Sequence, residues 1–347
     1  KKKSAILQQN RKKILSQVAS SNMVREQEKM MERMCHADGF IAALDQSGGS
    51  TPGALRRYGV RDDEYEVGGE TMLVHVHKMR ARIMTSPSFN GDRIIGAILF
   101  DDTMKRTIEG VPTADYLWKQ KGVVPFLKVD KGLEPEKDGV QLMKPIADLE
   151  EICDIAVAHN IFGTKMRSVI NRANPSGIKK IVEQQFEFGK KIIDRGLIPI
   201  LEPEVNIDSP DKSKCEALLL GEIVENLKTL RDDQLLMFKL TLPDVDNLYK
   251  VLVTHPSVIR LVALSGGYSR ATAVAKLALQ HGVIASFSRA LTEGLTKDLS
   301  QSEFDEMLDK SIDDIFHASK ASPHLTPSES TECHEASFHN KCPLLHV

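Results

Sequence analysis

Residues 234–242 read Gln-Leu-Leu-Met-Phe-Lys-Leu-Thr-Leu, an apolar run broken by one lysine, Lys239. A run of that kind belongs in a buried strand, so the ammonium must sit in a cavity. Burying a lone ammonium is costly, and such a lysine tends to shed its proton and become a nucleophilic amine. Amines of that sort form Schiff bases with carbonyl substrates. The same residue could instead snorkel to solvent from a strand end or belong to a buried ion pair. The rest of the chain must decide between these readings.

The elements that would position Lys239 are short apolar runs alternating with helical patterns. The runs are Gly39–Leu44, Arg93–Phe100, Val123–Val129, Asn160–Met166, Leu197–Leu201, Leu235–Thr241, Val258–Leu264 and Val283–Phe287. Their hydrophobicity is nearly continuous, as for strands buried on both faces. Between them, Ile178–Ile193 places Ile181, Val182, Phe186, Phe188, Ile192 and Ile193 at helical spacing, with Lys and Glu opposite. Ala271–Gln280 does the same with Ala273, Val274, Leu277 and Ala278. Eight βα repeats over roughly 290 residues predict a single-domain α/β fold, a parallel (β/α)8 TIM barrel. A doubly wound open sheet is the runner-up. It is weakened because no Gly-x-Gly-x-x-Gly turn or phosphate loop follows any run.

In a barrel of this type the chemistry lies at the C-terminal ends of the strands. Run one ends at Asp45, in Leu-Asp-Gln-Ser-Gly-Gly-Ser. Run three brings Lys128, in Leu-Lys-Val-Asp-Lys-Gly, and run four brings Lys165 and Arg167. Run five ends in Glu202 and Glu204, run six carries Lys239, and run seven leads into Ser265-Gly266-Gly267. Run eight leads into Ser288 and Arg289. Five cations thus meet at one mouth of a near-neutral protein, which predicts an anionic substrate. Ser-Gly-Gly after strand seven and Ser-Arg after strand eight match the usual phosphate site of such barrels. The turn Ser47-Gly48-Gly49-Ser50 offers a second set of hydroxyls and amides, so a bisphosphate would suit the mouth. Taken singly, each feature has an ordinary reading. A Gly-Gly turn is often only a turn, Lys131 and Glu204 could be surface or inter-strand partners, and Arg167 could pair with a neighbouring carboxylate. His75 and His77 fall on nearly opposite faces of a helical stretch, so the sequence demands no metal there.

The chain has 347 residues, 41% hydrophobic and 27% charged, with a net charge of −2. That balance is globular and favours neither nucleic acid nor an acidic membrane surface. No apolar stretch approaches the roughly 20 residues that span a bilayer. The five cysteines are odd in number, and Cys35, Cys153 and Cys215 read as reduced thiols of a reducing compartment, the cytoplasm or a plastid stroma. Residues 1–30 read as a basic extension, 31–320 as the barrel and 321–347 as a flexible tail. The leader has no acidic residue in 1–25 and resembles a transit-peptide remnant, or an amphipathic helix using Ile6, Ile14, Leu15 and Val18. The tail places Cys333, His334, His339 and Cys342 together. Zinc sites usually space their ligand pairs further apart, so an unstructured tail is the expectation.

Leu-Asp-Gln-Ser-Gly-Gly-Ser, Lys-Val-Asp-Lys-Gly, Gly-Thr-Lys-Met-Arg, Glu-Pro-Glu, the Lys239 strand and Leu-Ser-Gly-Gly together resemble the class I fructose-bisphosphate aldolases. The likeness covers about residues 30–320 and looks closest to the bacterial-type branch. It implies a lyase that splits fructose 1,6-bisphosphate reversibly into dihydroxyacetone phosphate and glyceraldehyde 3-phosphate in glycolysis and gluconeogenesis, or the Calvin cycle in a plastid. It implies no metal and no cofactor. Lys239 would form the iminium, Glu202 would serve as general acid and base, and Lys165 would stabilise charge and help keep Lys239 neutral. Asp45 would orient the intermediate and act on the hydroxyl whose deprotonation triggers cleavage. Ser265, Gly266 and Arg289 would hold the C1 phosphate, in the turns that also carry Gly267 and Ser288, and Ser47, Ser50 and Lys128 the C6 phosphate, with Arg167 nearby. The family includes tetramers, so a homo-oligomer is compatible with it. Three departures from the animal enzymes stand out: Gln46 replaces a glutamate, Gly53 and Ala54 replace a basic pair, and the chain ends in Val347 rather than tyrosine. No catalytic role is therefore expected of the tail. Two other readings remain at this stage. One is a different Schiff-base aldolase or a transaldolase, which would need one phosphate site. The other is a non-catalytic scaffold for acidic peptides.

Overall fold

The computed structural model describes residues 25–321. Eight parallel strands hydrogen-bond in chain order: β1 (Phe40–Leu44), β2 (Ile94–Leu99), β3 (Val124–Lys128), β4 (Gly163–Ile170), β5 (Ile198–Val205), β6 (Leu236–Thr241), β7 (Val258–Leu264) and β8 (Val283–Ala285). The Ala43 N–H donates to the Phe287 carbonyl at 3.2 Å, drawing β1 to the chain just beyond β8. The sheet is thus a nearly closed barrel, the (β/α)8 architecture expected. A two-residue strand, Val140–Gln141, adds antiparallel to β4 at the rim.

All eight apolar runs form strands, but two strands run further than hydrophobicity suggests. β4 continues past Met166 to Ile170, and β5 continues past Leu201 to Val205. Their upper halves carry Arg167, Glu202, Pro203 and Glu204, which broke the apolar pattern. Ladder pairing to a well-formed neighbour overrides that pattern, with Arg167 opposite Glu202 and Val169 opposite Glu204.

The helices after the first pack on the outer face. α1 covers residues 25–36, α2 is Ser50–Arg57, α3 is Glu70–Thr85, α4 is Leu149–Ala158 and α5 is Pro175–Ile193. α6 is Lys212–Leu227, α7 is Arg270–Leu277, and a four-residue helix, Arg289–Thr292, precedes α8 (Gln301–Ala321). α5 starts three residues before its apolar stripe. The Asn174 side chain caps it by accepting from Gly177 N–H at 3.1 Å, and Pro175 occupies the first turn, where its missing N–H costs nothing. It buries Ile181, Val182, Phe186, Ile192 and Ile193 against the sheet.

Inside the barrel the lower half is apolar. Ile41, Val124, Phe126, Ile198, Ile200, Met237, Val262 and Ile284 form one buried cluster. α1 closes the bottom with Met30, Met31 and Met34, and Gly96 leaves room for the Met34 methyl. Arg260 fixes the end of that helix by donating to the Met34 carbonyl at 2.9 Å and the Ala37 carbonyl at 3.2 Å. The boundary expected between residues 30 and 31 falls inside α1, where Met30 and Met31 are both buried. The transit-peptide or amphipathic-helix reading of the leader, and the Cys333–Cys342 cluster of the tail, lie outside the described residues.

Candidate active site

Each contributing strand turns from apolar to charged in one inward-facing step. Ala43 gives way to Asp45, Phe126 to Lys128, Gly163 to Lys165, Ile200 to Glu202, and Met237 to Lys239. Period-two alternation keeps each pair on one face of its strand. The result is a charged layer directly above the apolar one.

The layer is a buried chain of ions. Lys165 Nζ lies 2.6 Å from Asp45 Oδ2 and 2.7 Å from Glu202 Oε2. Glu202 Oε1 lies 3.1 Å from Lys239 Nζ. The side chains of Lys165, Glu202 and Lys239 are each 5% exposed or less. Lys239 is therefore neither a lone buried ammonium nor a snorkelling one. It faces a carboxylate that a second lysine already holds.

Burial alone would raise the Asp45 carboxyl, but the Lys165 and Lys239 ammoniums outweigh it and hold Asp45 well below the usual carboxylate range. Glu202 follows the same balance and is also lowered. Burial would lower Lys165, yet the Asp45 and Glu202 carboxylates overrule it and keep it firmly charged. Lys128 Nζ sits 2.5 Å from Asp130 Oδ1 and pairs in register with Lys165. Burial is the larger effect there and lowers Lys128. Asp130 also accepts from the Arg167 N–H at 3.1 Å. Arg167 Nε meets Glu204 Oε2 at 2.5 Å, so the plain inter-strand pairing holds for these two. Lys131 pairs with Asp148 at the surface.

The remaining candidates lie on turns around this layer. Ser50 Oγ donates to the Ser47 carbonyl at 2.9 Å and accepts from the Ser47 N–H at 3.0 Å, closing the turn at the start of α2. Ser265 is buried, and Gly266 and Gly267 both take positive φ, +61° and +121°. That backbone admits glycine readily. Arg289 Nη1 lies 3.5 Å from the position a Gly267 Cβ would occupy, so its guanidinium roofs the turn. Ser288 Oγ accepts from Gln46 Nε2 at 2.5 Å, tying the end of β1 to the end of β8. His75 and His77 diverge: His75 faces the Tyr65 ring, and His77 Nε2 lies 3.2 Å from the Thr107 carbonyl.

Several residues were not singled out from the sequence. Arg80 is fully buried in α3 and donates to Thr103 Oγ1 at 2.7 Å and to the Gln46 carbonyl at 2.5 Å, fixing the chain next to Asp45. Arg57, at the end of α2, folds back so that Nη1 sits 3.5 Å from a Cβ placed on Gly53. Burial, then the Arg289 charge, lowers its guanidinium. Neither arginine announces itself by pattern, since a basic residue on a helix is ordinary.

Among the described residues no group of three or more His, Cys, Asp and Glu side chains is placed to hold a metal ion. No helix among them is long and apolar enough to cross a membrane.

The comparisons with known proteins fit this geometry. The family model for class I fructose-bisphosphate aldolase matches residues 31–243. The chain is 56% identical over 292 residues to the class 1 fructose-bisphosphate aldolase of Synechocystis sp., covering 84% of this chain and 97% of that protein. It is 53% identical over 291 residues to the class 1 enzyme of Porphyromonas gingivalis, covering 84% and 98%. A solved fructose-bisphosphate aldolase from Plasmodium falciparum, in complex with TRAP and a small-molecule inhibitor, matches in fold with a TM-score of 0.67. Its identity is 21%, covering 87% of this chain and 96% of that one.

Proposed function

We infer the chemistry of this mouth from one premise: the chain belongs to the family of class I fructose-bisphosphate aldolases. The reaction is the reversible cleavage of fructose 1,6-bisphosphate to dihydroxyacetone phosphate and glyceraldehyde 3-phosphate, the aldehyde-lyase step of glycolysis. It runs through the Schiff base common to class I enzymes. In our reading Lys239 Nζ attacks the C2 carbonyl of the ketose. Glu202, at 3.1 Å, takes the ammonium proton that frees Nζ for this attack; a second nitrogen proton moves to the new alkoxide, and Glu202 gives its proton to the resulting hydroxyl, which leaves as water and yields the iminium. The iminium is then the electron sink. Asp45 takes the C4 hydroxyl proton, the C3–C4 bond breaks, and its electron pair enters the iminium to give the enamine. Glyceraldehyde 3-phosphate leaves. Reprotonation at C3 and hydrolysis release dihydroxyacetone phosphate and restore Lys239.

Lys165 stays protonated between the two carboxylates and holds both in place while charge moves through the layer. Ser265, Gly266, Gly267, Ser288 and Arg289 take the C1 phosphate. Ser47, Ser50 and Lys128 take the C6 phosphate, with Arg167 beside them. Lys128 and Arg167 each arrive paired to a carboxylate, whereas Arg289 is free of an ion pair among the described residues. The C1 side is therefore the more open anion trap. The barrel domain we assign runs from α1, which starts at residue 25, to the end of α8. We place the enzyme in the cytoplasm; import of a 1–30 fusion into plastids would move it to the stroma.

The observation that carries this reading is the buried Lys239–Glu202 contact, bridged by Lys165 to Asp45. Borohydride trapping with dihydroxyacetone phosphate in EDTA, followed by peptide mapping, tests it. A reduced adduct on Lys239 is expected. A folded enzyme that gives none would remove Lys239 from the chemistry.

A further inference from the structure

β5 and β6 are laddered only at Ile200–Met237 and Leu201–Phe238. One rung further in the same register would set Glu202 opposite Lys239. The ladder therefore stops where the buried pair begins. Two prolines account for the gap. Pro203 brings no N–H to the rung above Leu201, and Pro243 brings none to the rung at Val205. Left alone, the Val205 N–H and C=O would face β6 unpaired in a buried setting, a costly arrangement.

Thr241 fills that need. Its hydroxyl accepts from the Val205 N–H at 2.9 Å and donates to the Val205 carbonyl at 2.7 Å. The side chain is 1% exposed. On its other side Val205 remains in the β4 ladder opposite Ile170. The catalytic pair thus sits in a window where β5 and β6 are not laddered to each other. Backbone pairing bounds it below and a single hydroxyl bounds it above. Lys212 braces the same rim by donating to the Leu242 carbonyl at 3.0 Å.

We propose that Thr241 is a positioning residue. Its hydroxyl replaces the ladder that the two prolines interrupt and sets the width of the gap across which Glu202 meets Lys239. The proposal rests on the catalytic reading of that pair. Thr241→Val keeps shape and removes both bonds; Thr241→Ser keeps both. A misplacement near 1 Å costs up to about 100-fold in rate. Thr241→Val should therefore lower kcat and the borohydride-trapping rate at Lys239 by about 10- to 100-fold. KM for fructose bisphosphate should move less than about threefold, because the phosphate turns follow other strands. Thr241→Ser should restore both rates.

Equal trapping rates in folded wild type and Thr241→Val would overturn the proposal. If the valine variant does not fold, amide exchange of Val205 in the wild-type enzyme decides. Protection comparable to Leu201 is expected, and fast exchange overturns it. Absence of a Lys239 adduct in wild type would instead sink the catalytic reading, an outcome distinct from equal trapping in both proteins.

Discussion

The two halves of the barrel interior share strands and share an inward face, yet they are built on opposite principles. Below, Ile41, Val124, Ile198, Met237, Val262 and Ile284 pack with three methionines of α1. Above, one side-chain step further along the strands, Asp45, Lys165, Glu202 and Lys239 form a chain of ions. The lower half gains free energy by excluding water from apolar surface. The upper half spends stability, because desolvating four charged groups is repaid only by near-ideal pairing. A barrel with this division can be altered at one end for stability and at the other for chemistry.

Removing the central cation should break the upper half most severely. Lys165→Met leaves Asp45 and Glu202 buried with Lys239 as their remaining close cation. Breaking a buried pair in this way costs about 3–5 kcal/mol, and we expect kcat to fall by at least about 100-fold. The pH dependence should change sign. In the wild type both carboxylates are lowered, so their contribution is complete above the ordinary carboxylate range near pH 4. It drains as pH falls through the folded values. Lys165 is raised, so its contribution holds below about pH 10.4 and is lost as pH rises through its folded value. Without Lys165, burial dominates and pushes the carboxyls up. A carboxyl raised on folding stabilises at low pH and loses that contribution as pH rises. Denaturant titrations should show the variant gaining stability from pH 7 to 5 while the wild type stays flat. Parallel curves would mean the ion chain is not the unit described here.

The lower half should respond in stability alone. Met34→Ala opens a cavity where α1 plugs the barrel, and a buried Met-to-Ala change costs about 2–5 kcal/mol. Met34 is fully buried, and Gly96 contributes no side chain to refill the space. The folded variant should keep kcat within about twofold. A large loss of kcat would show that the two halves are mechanically linked.

Much of this division was legible in the sequence, because it follows from local rules. Apolar runs gave the strands, and a lysine or carboxylate two residues beyond an apolar inward position marked the charged layer. What stayed hidden depends on partners far along the chain. The upper parts of β4 and β5 look like loop in isolation, since Arg167, Pro203 and Glu204 interrupt the run; only the neighbouring strand keeps them extended. The start of α5 at Asn174-Pro175 was not singled out either; its cap extends the helix beyond its apolar stripe. Arg80 and Thr241 could not be found this way. A buried arginine and a strand threonine gain meaning only from carbonyls more than thirty residues away.

The smallest effect concerns the rim. The resemblance drawn from the sequence implies that Gly53 and Ala54 replace a basic pair of the animal enzymes, and Arg57 folds back over Gly53. Arg57 thus presents one cation over that spot from one helical turn away. Arg57→Ala should then raise KM for fructose bisphosphate about two- to fivefold with kcat nearly constant, the range expected of an exposed charge. The effect should fade in about 0.5 M salt, where screening reaches only a few ångströms. Adding Gly53→Lys to Arg57→Ala should restore KM, because α2 then presents a cation over the same spot. A KM shift that persists in high salt, or that Gly53→Lys does not repair, would assign Arg57 to packing against Thr292 and Leu295 rather than to the substrate.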